Sequence, residues 1–469
     1  MKKLTKCSVV LGRFQPFHAG HLSLIKKALL LNNMCVIIIG SADAEISEKN
    51  PLTALQRERI IRNALETENI NLQQIDFLWL ENRKPPRDDF GFGDRIVDRL
   101  AERGYAPSHI VLGEEAKVDL WFRPDYPAKI VKVDRQNIDI DGTRIRKDVF
   151  ENFRNRVVDR DVSRMIFNSL AYLSMKRFLN KDIKDPELYI NKCIEYGKDI
   201  YNKLSKWLKD NYSDVGAFTV GISGGKDSSL AAAVLAMTFG PDKIIGIMMP
   251  DGEQHDIDKA RKVCDILNIK NRLVVNIKSV TSAMRNAIKD AIKNASPEVQ
   301  EYFGVNDAET FNDVYETNTP ARIRMAANYG VAALKCKLNP RVTNTCNRSE
   351  DRVGYSTKFG DSAGDFSLFA NLTVTQLMCL GLYLIMCGYL TLDLVFKTPE
   401  DGMSGKSDEE KLGFTYPQLD QFIMNGVLPP DETLGKITRM TIRNKHKIEP
   451  MPSFIYVPDE EIADWIRSR

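Results

Sequence analysis

The sequence predicts an α/β protein of two domains, each with a parallel sheet flanked by helices. Short apolar strands alternate with segments of helical spacing in both halves of the chain, and this alternation is typical of parallel sheets covered by helices. A glycine-rich turn at residues 221–229 joins a strand to a helix, which is an arrangement that binds phosphate. The chain has 469 residues, more than one ordinary domain contains, so two or three domains are expected.

Composition and charge exclude several classes of protein. The 66 basic and 63 acidic residues nearly balance, with a net charge of +3, so the sequence indicates no nucleic-acid partner and no membrane surface. The eight cysteines form no C-x-x-C pair, which argues against a zinc site or a disulfide framework and favours a reducing, cytoplasmic location. The apolar run Leu372–Leu392 contains Thr, Gln, Gly and Tyr residues, and we expect a buried helix pair there rather than a membrane span.

The first 150 residues alternate predicted strands and helices. Helical spacing covers Leu22–Leu31 and Leu55–Leu65. The predicted strands are Cys7–Leu11, Val36–Ile39, Ile75–Leu80, His109–Leu112 and Ile130–Val133. In a parallel sheet of this kind ligands bind at the carboxyl ends of the strands, because the loops there carry the chemistry.

The loop after the first predicted strand, Gly12–His21, holds two histidines. His18 and His21 are three residues apart at the start of a helix, so both are expected on one side of it. Imidazole N–H groups at the positive end of a helix can bind and polarise a phosphate. A pair of exposed histidines at a helix cap is the alternative.

Two further loops of this half carry basic residues at helix starts. After the second predicted strand, Thr53 is expected to cap a helix that presents Arg57. Near the end of the domain, Thr143 and Arg146 open another helix and can hold a triphosphate. Judged alone, the first is more often a capped helix with a surface arginine, and the second is as often a plain capped helix.

Together these three loops resemble the nucleotidylyltransferase superfamily, and most closely its archaeal-type nicotinamide mononucleotide adenylyltransferases. The H-x-G-H, G-R-F-Q-P-F-H, N-P-x-T-A-x-x-R and T-x-I-R strings match. The resemblance implies a Rossmann-like domain over residues 1–153 that transfers AMP from ATP to a pyridine mononucleotide by positioning and charge stabilisation. It implies catalytic roles for Arg13, His18, His21, Thr143 and Arg146, and further ATP contacts by Gly12, Phe14, Gly20 and Arg57.

Residues 154–186 are charged and helical in pattern and contain no catalytic motif, so they are predicted to form a helical connector. Helical spacing then covers Leu188–Leu208, and a second alternation follows. Its predicted strands are Ala217–Val220, Lys243–Met248 and Leu273–Asn276, and its predicted helices are Leu230–Phe239, Asp256–Leu267 and 318–337. Residues 343–365 have the composition of a loop, but their mixture of polar and aromatic side chains is typical of an ordered ligand site.

The segment Gly221–Ser229 reads G-I-S-G-G-K-D-S-S between a predicted strand and a predicted helix. Glycines allow backbone N–H groups to converge on an anion, and the helix N-terminus adds a favourable dipole. The serines suit pyrophosphate oxygens, and Asp227 suits a magnesium ion that bridges them. The segment differs from the ordinary P-loop because its lysine is followed by Asp. A bare glycine turn is the alternative.

With the A-R-I-R-M, T-x-N-x-S-E, G-Y-x-T-K-F-G-D and S-D-E-E-K-L-G-F-T-Y strings, this segment resembles the ATP-pyrophosphatase family, and within it the ammonia-dependent NAD synthetases. The resemblance covers residues 187–469 and implies a second Rossmann-like domain, of the PP-loop type. That domain would activate the carboxylate of deamido-NAD with ATP and then replace AMP by ammonia. Since no glutaminase domain is recognised, free ammonia or ammonia from a partner is the expected nitrogen source.

The synthetase resemblance also implies residue roles. Magnesium would be bound by Asp227 and Glu350, and Asp227 and Lys358 would take part in catalysis. ATP would be contacted by Ser223, Gly225, Lys226, Ser228, Ser229, Arg322 and Thr345. Deamido-NAD would be contacted by Arg324, Lys358, Asp361, Asp408 and Glu409.

Three positions depart from the family patterns. Asp141 stands where the adenylyltransferases have Ser, and a carboxylate there would repel a triphosphate unless it turns away or meets magnesium. Val374 replaces a lysine found in some synthetases, and Lys226 is a candidate to substitute for that phosphate partner. Glu400 replaces a Ser or Thr.

The two halves together predict a bifunctional enzyme of NAD formation, in which nicotinate mononucleotide is adenylylated and the product is amidated. If the first domain prefers nicotinamide mononucleotide, the domains serve separate routes. A nucleotide-sensing first domain and a tRNA-modifying enzyme are further alternatives, although the sequence has neither the basic patch nor the paired cysteines that the latter predicts. The partners expected are small molecules and a second copy of the chain, because the resemblance implies a homodimer through the second domain.

Overall fold

A computed structural model describes residues 4–81, 91–114, 116, 118–134, 142–151, 160–253, 257–304, 311–396 and 407–448. The chain divides into two compact units, Met1–Tyr196 with Leu382–Phe396, and Gly197–Gly381 with Lys397–Arg469. Each unit contains a parallel sheet flanked by helices, which confirms the predicted fold class. The domain limits expected at residues 153 and 186 stay predictions.

The sheet of the first unit is formed by β1 to β5, which are Thr5–Gly12, Cys35–Gly40, Ile75–Leu80, Tyr105–Gly113 and Lys129–Val133. The strands run parallel in the order β3-β2-β1-β4-β5. The helices α1 to α6 are Ala19–Leu31, Ala54–Thr67, Gly91–Glu102, Val118–Trp121, Gly142–Glu151 and Arg160–Leu179. The strand order reverses between β1 and β4, so the crevice where such sheets bind ligands lies at the end of β1.

The central strands of this sheet are apolar because helices cover both faces. Residues 35–39 of β2 are at most 1% exposed, and alternate buried residues of β1 to β4 form one hydrophobic cluster with Ile96 and Leu100 of α3. Five consecutive residues of β2 are buried, whereas a half-exposed strand would show alternating buried and exposed residues. Core packing of this kind fixes the strand ends on which the loops are mounted.

The second unit repeats this architecture with β6 to β10, which are Phe218–Gly221, Ile244–Met248, Arg272–Val274, Arg341–Asn347 and Phe366–Phe369. They run parallel in the order β10-β9-β6-β7-β8. The helices α7 to α13 are Pro186–Tyr212, Lys226–Phe239, Ile257–Ile266, Lys278–Lys293, Pro297–Phe303, Asp313–Ala333 and Arg348–Val353. The helices α14 to α19 are Val374–Met386, Leu392–Val395, Asp408–Leu412, Tyr416–Asn425, Asp431–Arg443 and Lys445–Ile448. Of these, α15 belongs to the first unit. The reversal between β6 and β9 brings the end of β6 beside the end of β9.

The structure refines two sequence predictions in this unit. Residues 343–365 were expected to be ordered despite their loop-like composition, and they include most of β9 inside the sheet and end directly before β10 at its edge. The buried side chain of Asn344 has partners: its Nδ2 donates to the Asp361 carbonyl (3.0 Å), and its Oδ1 accepts from Cys346 N (3.0 Å). The long helix predicted from residue 318 begins earlier, at Asp313, because Asn312 caps it and the helix continues through Pro320.

The apolar run at 372–392 contains one buried helix, α14, and α15 begins only at its last residue, so the structure confirms a buried helix there but not a helix pair within the run. In the part of the chain that the structure describes, we find no helix long and apolar enough to cross a membrane.

A glycine in α7 fixes a close approach between helices of the second unit. A Cβ atom added at Gly197 would lie 2.0 Å from the backbone carbonyl oxygen of Cys379 in α14. Gly330 in α12 is the matched control, because an added Cβ there meets no atom within 4 Å. We expect Gly197→Ala to lower the free energy of unfolding by about 2–3 kcal/mol through overpacking, whereas Gly330→Ala raises it by up to about 1 kcal/mol through helix propensity. Urea denaturation followed by circular dichroism measures both, and equal effects would contradict the packing argument.

Candidate active sites

The two histidines of the first unit lie together at the start of α1. His18 is the N-cap residue, and its Nδ1 accepts a hydrogen bond from Gly20 N at 3.2 Å. The ring centroids of His18 and His21 are 3.8 Å apart. The structure therefore confirms that both imidazoles are on one side of the helix start, where the positive helix end favours an anion.

Gly12 and Phe14, which precede the two histidines, determine the shape of this loop. The Phe14 ring is 1% exposed, its centroid lies 4.9 Å from that of His21, and its φ angle is +52°. A Cβ atom at Gly12 would lie 2.9 Å from that ring, so glycine is needed there. The expected ATP contact by Phe14 is corrected, because the residue is buried and its ring packs against His21.

Arg57 occupies a different environment from the one expected. The helix α2 begins with the predicted cap, since Thr53 and Gln56 form a capping box. Its arginine is not presented to a phosphate, because Arg57 is 1% exposed. The guanidinium donates to the backbone carbonyls of Arg13 (2.8 Å), Gly40 (2.7 Å) and Ser41 (3.0 Å), and its Nε donates to that of Thr53 (3.2 Å).

Arg57 therefore joins the loops that follow β1 and β2. Phe14 and Ser41, next to the bonded carbonyls, both have φ angles of +52°, a strained conformation for these residues. Burial, with a smaller contribution from Arg13, lowers the pKa of Arg57 to about 10, so the group stays charged at neutral pH. The side chain stabilises the shape of the candidate site rather than contacting a ligand.

Gln15 is a further residue of this site that the sequence analysis missed. Its Nε2 donates to the Leu52 carbonyl (2.7 Å), and its Oε1 accepts from Leu52 N (3.0 Å). Its carbonyl oxygen accepts from Arg146 Nη1 (2.5 Å), while Arg146 Nη2 donates to Thr143 Oγ1 (3.0 Å). Thus the three loops selected from sequence meet around Gln15. The sequence signal that could have identified Gln15 is its position within the G-R-F-Q-P-F-H string.

In the second unit, the loop between β6 and α8 has the geometry of an anion site. Gly224 has a φ angle of +80°, and a Cβ atom there would lie 2.8 Å from Ala260 N. Gly225 caps α8, and its N–H donates to Ser223 Oγ at 3.2 Å. Ser223 is exposed at the loop, and its hydroxyl lies 3.0 Å from that of Ser228.

Ser229 was expected to contact ATP, but its side chain is buried. It is 0% exposed, and its hydroxyl donates to the Gly225 carbonyl at 2.7 Å. Because the group faces the protein interior, the predicted contact of Ser229 with ATP is wrong for this arrangement of the loop. The Ser228 hydroxyl also donates to Gly225 (3.2 Å), but it remains beside Ser223.

A compact group of charges lies at the start of α8. Lys226 Nζ is 2.6 and 2.7 Å from the two carboxylate oxygens of Asp227, and the lysine side chain is only 4% exposed. Burial opposes the charge of Lys226, but the carboxylates of Asp227, Glu350 and Asp408 outweigh burial and raise its pKa. Removal from water, and then the charge of Asp227, raise the pKa of Glu350 well above its usual range, although Lys226 opposes this.

The carboxylates of Asp227 and Glu350 fit a magnesium site. Magnesium in nucleotide enzymes is usually held by one or two carboxylates together with substrate phosphates, rather than by a complete protein cage. Burial and then the charge of Asp227 raise the pKa of Glu350, and a divalent cation bound there would favour its ionised form. The described residues include no group of three or more His, Cys, Asp or Glu residues that could hold a metal by themselves.

Glu350 owes its position to a buried network that the sequence analysis missed. Its Oε2 accepts from Asn347 N (3.1 Å) in the capping box of α13. The neighbouring Ser349 hydroxyl donates to Asp420 Oδ1 (2.5 Å), and Asp420 Oδ2 accepts from Thr375 N (2.7 Å). Asp420 is 1% exposed, so it ties α13 to the start of α14 from within the protein.

Near Asp408, Glu409 has a structural role that was not expected, and Tyr416 is a residue that the sequence analysis missed. Asp408 accepts a hydrogen bond from the Tyr355 hydroxyl (3.1 Å). Glu409 is partly committed to structure, because its Oε1 accepts from Tyr416 N at 2.9 Å and so supports the start of α17. Tyr416 was not singled out from sequence. It is 1% exposed, and its hydroxyl has no hydrogen-bond partner among the described residues.

A basic cavity of about 530 Å³ contains two of the predicted residues. Arg322 Nε donates to the Lys358 carbonyl (3.3 Å), and Lys358 Nζ donates to the His446 carbonyl (2.5 Å). The sequence analysis missed the basic residues that α18 and α19 add to this cavity, which are Arg443, His446 and Lys447. The clustered bases of R-N-K-H-K at 443–447 were the available signal.

The remaining predicted residues lie around these elements. Asp361 Oδ1 accepts from Thr357 N (2.6 Å), and Arg324 Nε donates to the Met249 carbonyl (3.0 Å). Thr345 is half-buried on β9. Val374 is fully buried, and its N–H donates to Ser349 Oγ (3.0 Å). Asp141 and Glu400 lie outside the described residues.

Two segments of the chain are similar to known protein families. The family model described as NAD synthase matches residues 200–451, and the model described as cytidylyltransferase-like matches residues 9–148. The NH(3)-dependent NAD(+) synthetase of Carboxydothermus hydrogenoformans is 32% identical over 249 residues, which are 52% of this chain and 92% of that protein. That of Methanocaldococcus jannaschii is 29% identical over 274 residues, covering 54% and 96%. Among solved structures, the NMN synthetase from Francisella tularensis shares 28% identity with a TM-score of 0.46, over 55% of this chain and 99% of that chain.

The NAD synthase model covers more than half of the residues, and the chain therefore belongs to the NAD synthase family. Ahead of that segment it carries a cytidylyltransferase-like domain. Both matches agree with the fusion that the sequence motifs predicted.

The four hydrogen bonds of Arg57 generate a stability prediction. Arg57→Met leaves the carbonyls of two strained loops without their buried donor, so we expect the unfolding free energy to fall by about 3 kcal/mol. Arg59→Met is the matched control, because Arg59 is exposed on the same helix. Differential scanning calorimetry of the full chain should show a lower Tm for Arg57→Met only. A normal Tm in that variant would mean that the loops hold their shape without the guanidinium.

Proposed function

We propose that this chain catalyses two reactions of NAD formation. In the first unit, AMP is transferred from ATP to nicotinate mononucleotide, giving deamido-NAD and pyrophosphate. In the second unit, deamido-NAD is amidated to NAD with ATP and ammonia. The observation that carries the proposal is the placement of two separate loops, Gly12–His21 and Gly221–Ser229, each at the switch point of its own parallel sheet, where such sheets bind ligands.

The chemistry of the first unit rests on the neighbouring imidazoles. The mononucleotide phosphate attacks the α-phosphorus of ATP, the bond to the β-phosphate oxygen breaks, and pyrophosphate leaves. His18 and His21 at the start of α1 offer N–H groups to the charge that develops on the phosphates, and Arg146 adds a cation beside the same loop. Such preorganised donors require no covalent intermediate. A preference for nicotinamide mononucleotide is the alternative, and it would give NAD directly.

The chemistry of the second unit rests on the loop before α8. The deamido-NAD carboxylate attacks the α-phosphorus of ATP, which forms an adenylate and releases pyrophosphate; ammonia then attacks the acyl carbon, AMP leaves, and a proton is lost. Backbone N–H groups of the loop and the Ser223 hydroxyl would hold the pyrophosphate. Magnesium, held by Asp227 and Glu350, would supply positive charge to the leaving group. The basic cavity at Lys358 is suited to the phosphates of a dinucleotide. The relatives named as NH(3)-dependent support ammonia as the nitrogen donor.

One time course tests the whole proposal. The purified chain is supplied with nicotinate mononucleotide, ATP, magnesium and ammonium, and the nucleotides are separated by chromatography. We expect deamido-NAD to rise first and NAD to follow. Accumulation of nicotinamide mononucleotide instead would show that the second unit amidates the mononucleotide. Absence of pyrophosphate release in a parallel reaction without ammonium would show that the first unit does not turn over.

Two substitutions separate the proposed reactions. His21→Ala removes one phosphate-facing donor and should lower adenylyl transfer by about 100-fold or more, while amidation of supplied deamido-NAD stays normal. Glu350→Gln should lower amidation and leave adenylyl transfer normal, because it removes a proposed metal-binding charge from the second unit only. Each variant is the control for the other. Parallel loss of both activities in either variant would contradict two independent sites.

We further propose that the second unit assembles as a homodimer through α10 and α11. The helix α10 is amphipathic, yet it has no buried residue. Its apolar positions recur with helical spacing at Val280, Ala283, Met284 and Ala287, and all four are exposed. Tyr302 and Phe303 of α11 are 84% and 51% exposed. Monomeric proteins rarely expose a contiguous stripe of this kind, and a second copy of the chain would cover it.

Met284→Asp tests this assembly. A buried carboxylate in an apolar contact is costly, so the variant should run as a monomer where the wild type runs as a dimer, with affinity weakened by about 100-fold or more. Asn286→Asp makes the same charge change on the opposite side of α10 and should leave the dimer intact. Light scattering after size-exclusion chromatography gives the masses. A wild-type protein that is monomeric in solution would contradict the proposal.

A further inference from the structure

The ion pair between Lys226 and Asp227 occupies atoms that the proposed metal also needs. Both carboxylate oxygens of Asp227 lie within 2.7 Å of the Lys226 ammonium. Magnesium binds oxygen at about 2.0–2.1 Å, so an ion on Asp227 and the ammonium in its present position would be in close repulsive contact. Binding of the metal to Asp227 therefore requires the ammonium to leave at least one of the two oxygens.

The surroundings of Lys226 leave it few other partners. Its side chain is 4% exposed, and the further charges that act on it are the carboxylates of Glu350 and Asp408. These carboxylates bind a divalent ion more strongly than a single ammonium, because the ion carries twice the charge. An ammonium displaced from Asp227 and kept out of water needs a new anion, since an unpaired buried charge is costly.

The loop beside Lys226 supplies a place for that anion. Lys226 is the first residue of α8, directly after Gly224 and Gly225, and the start of the helix favours negative charge. Pyrophosphate oxygens bound there would lie within reach of the four-carbon lysine side chain. The Tyr416 hydroxyl provides a second observation, because it is buried without a hydrogen-bond partner among the described residues and lies within the electrostatic influence of Glu350, Asp408 and Asp227.

We propose that Lys226 couples metal binding to ATP binding in the second unit. Without nucleotide its ammonium neutralises Asp227 and opposes entry of a divalent cation. With ATP present the ammonium transfers from the Asp227 carboxylate to phosphate oxygens, and the cation takes its place on Asp227. Metal and nucleotide then bind cooperatively, each strengthening the other by the same factor. The inference rests on the proposed function for the identity of the nucleotide, but not on turnover.

The test measures binding of Mn²⁺, a magnesium substitute visible by electron paramagnetic resonance, to the full chain. Titrations are made without nucleotide and with an ATP analogue that has a methylene group between the α- and β-phosphorus atoms. Asp227→Asn identifies the Mn²⁺ signal of the second unit, since ions that persist in this variant belong elsewhere. Lys226→Met removes the ammonium and keeps the apolar stem, and Lys243→Met is the control, because Lys243 bonds the Val215 carbonyl on another element.

We expect Lys226→Met to bind Mn²⁺ about tenfold or more tightly without nucleotide, and to lose most of the strengthening that the analogue gives the wild type. Lys226→Gln should behave in the same way and serves if the Met variant does not fold. The proposal is overturned if either folded variant binds Mn²⁺ as the wild type does, or if affinity rises equally with and without the analogue. Failure of the chain to make NAD would refute the proposed function while leaving these titrations interpretable.

Discussion

Parallel pairing of strands is the constraint on which both candidate sites depend. Because all strands of a sheet point the same way, their carboxyl ends meet at one edge, and the loops that follow them must share a small volume. In the first unit this edge brings the loops after β1 and β2 together, and in the second it brings the end of β6 beside the end of β9. The sites exist because chain segments far apart in sequence are forced into contact there.

Each of these edges contains one buried cation, and the two are held by different chemistry. Arg57 is surrounded by neutral backbone carbonyls, which fix its planar guanidinium in one orientation and leave it no alternative partner. Lys226 is held by carboxylates, which are also ligands for a divalent metal. The arginine therefore acts as a permanent support for its loops, whereas the lysine makes an ion pair that a ligand can exchange. The lysine ammonium, a point charge on a flexible side chain, suits an exchangeable ion pair, and the rigid planar guanidinium of arginine suits a permanent support.

The joining of a cytidylyltransferase-like domain to a member of the NAD synthase family gains a physical reason under the proposed function. A product released by one domain of a chain is at raised local concentration for the other, with no need for a channel. Under the same proposal, the basic cavity, the glycine loop and the acidic group of the second unit would provide separate partners for phosphates, pyrophosphate and metal.

The sequence by itself determined the alternation of strands and helices, the positions of the two candidate loops and the pairing of His18 with His21, because these follow from local periodicity and from short motifs. It did not determine which polar groups are buried. Arg57 and Ser229 were misjudged, and the strand β9 was not predicted, since a polar side chain is exposed or buried according to the partners that distant segments supply. Nor did spacing reveal Gln15, Asp420 or Tyr416, whose roles depend on contacts made across the fold. Lys226 illustrates the same limit within the glycine-rich loop itself: the motif located the ammonium, and only the tertiary structure paired it with Asp227, because Glu350 and Asp408 arrive from other elements.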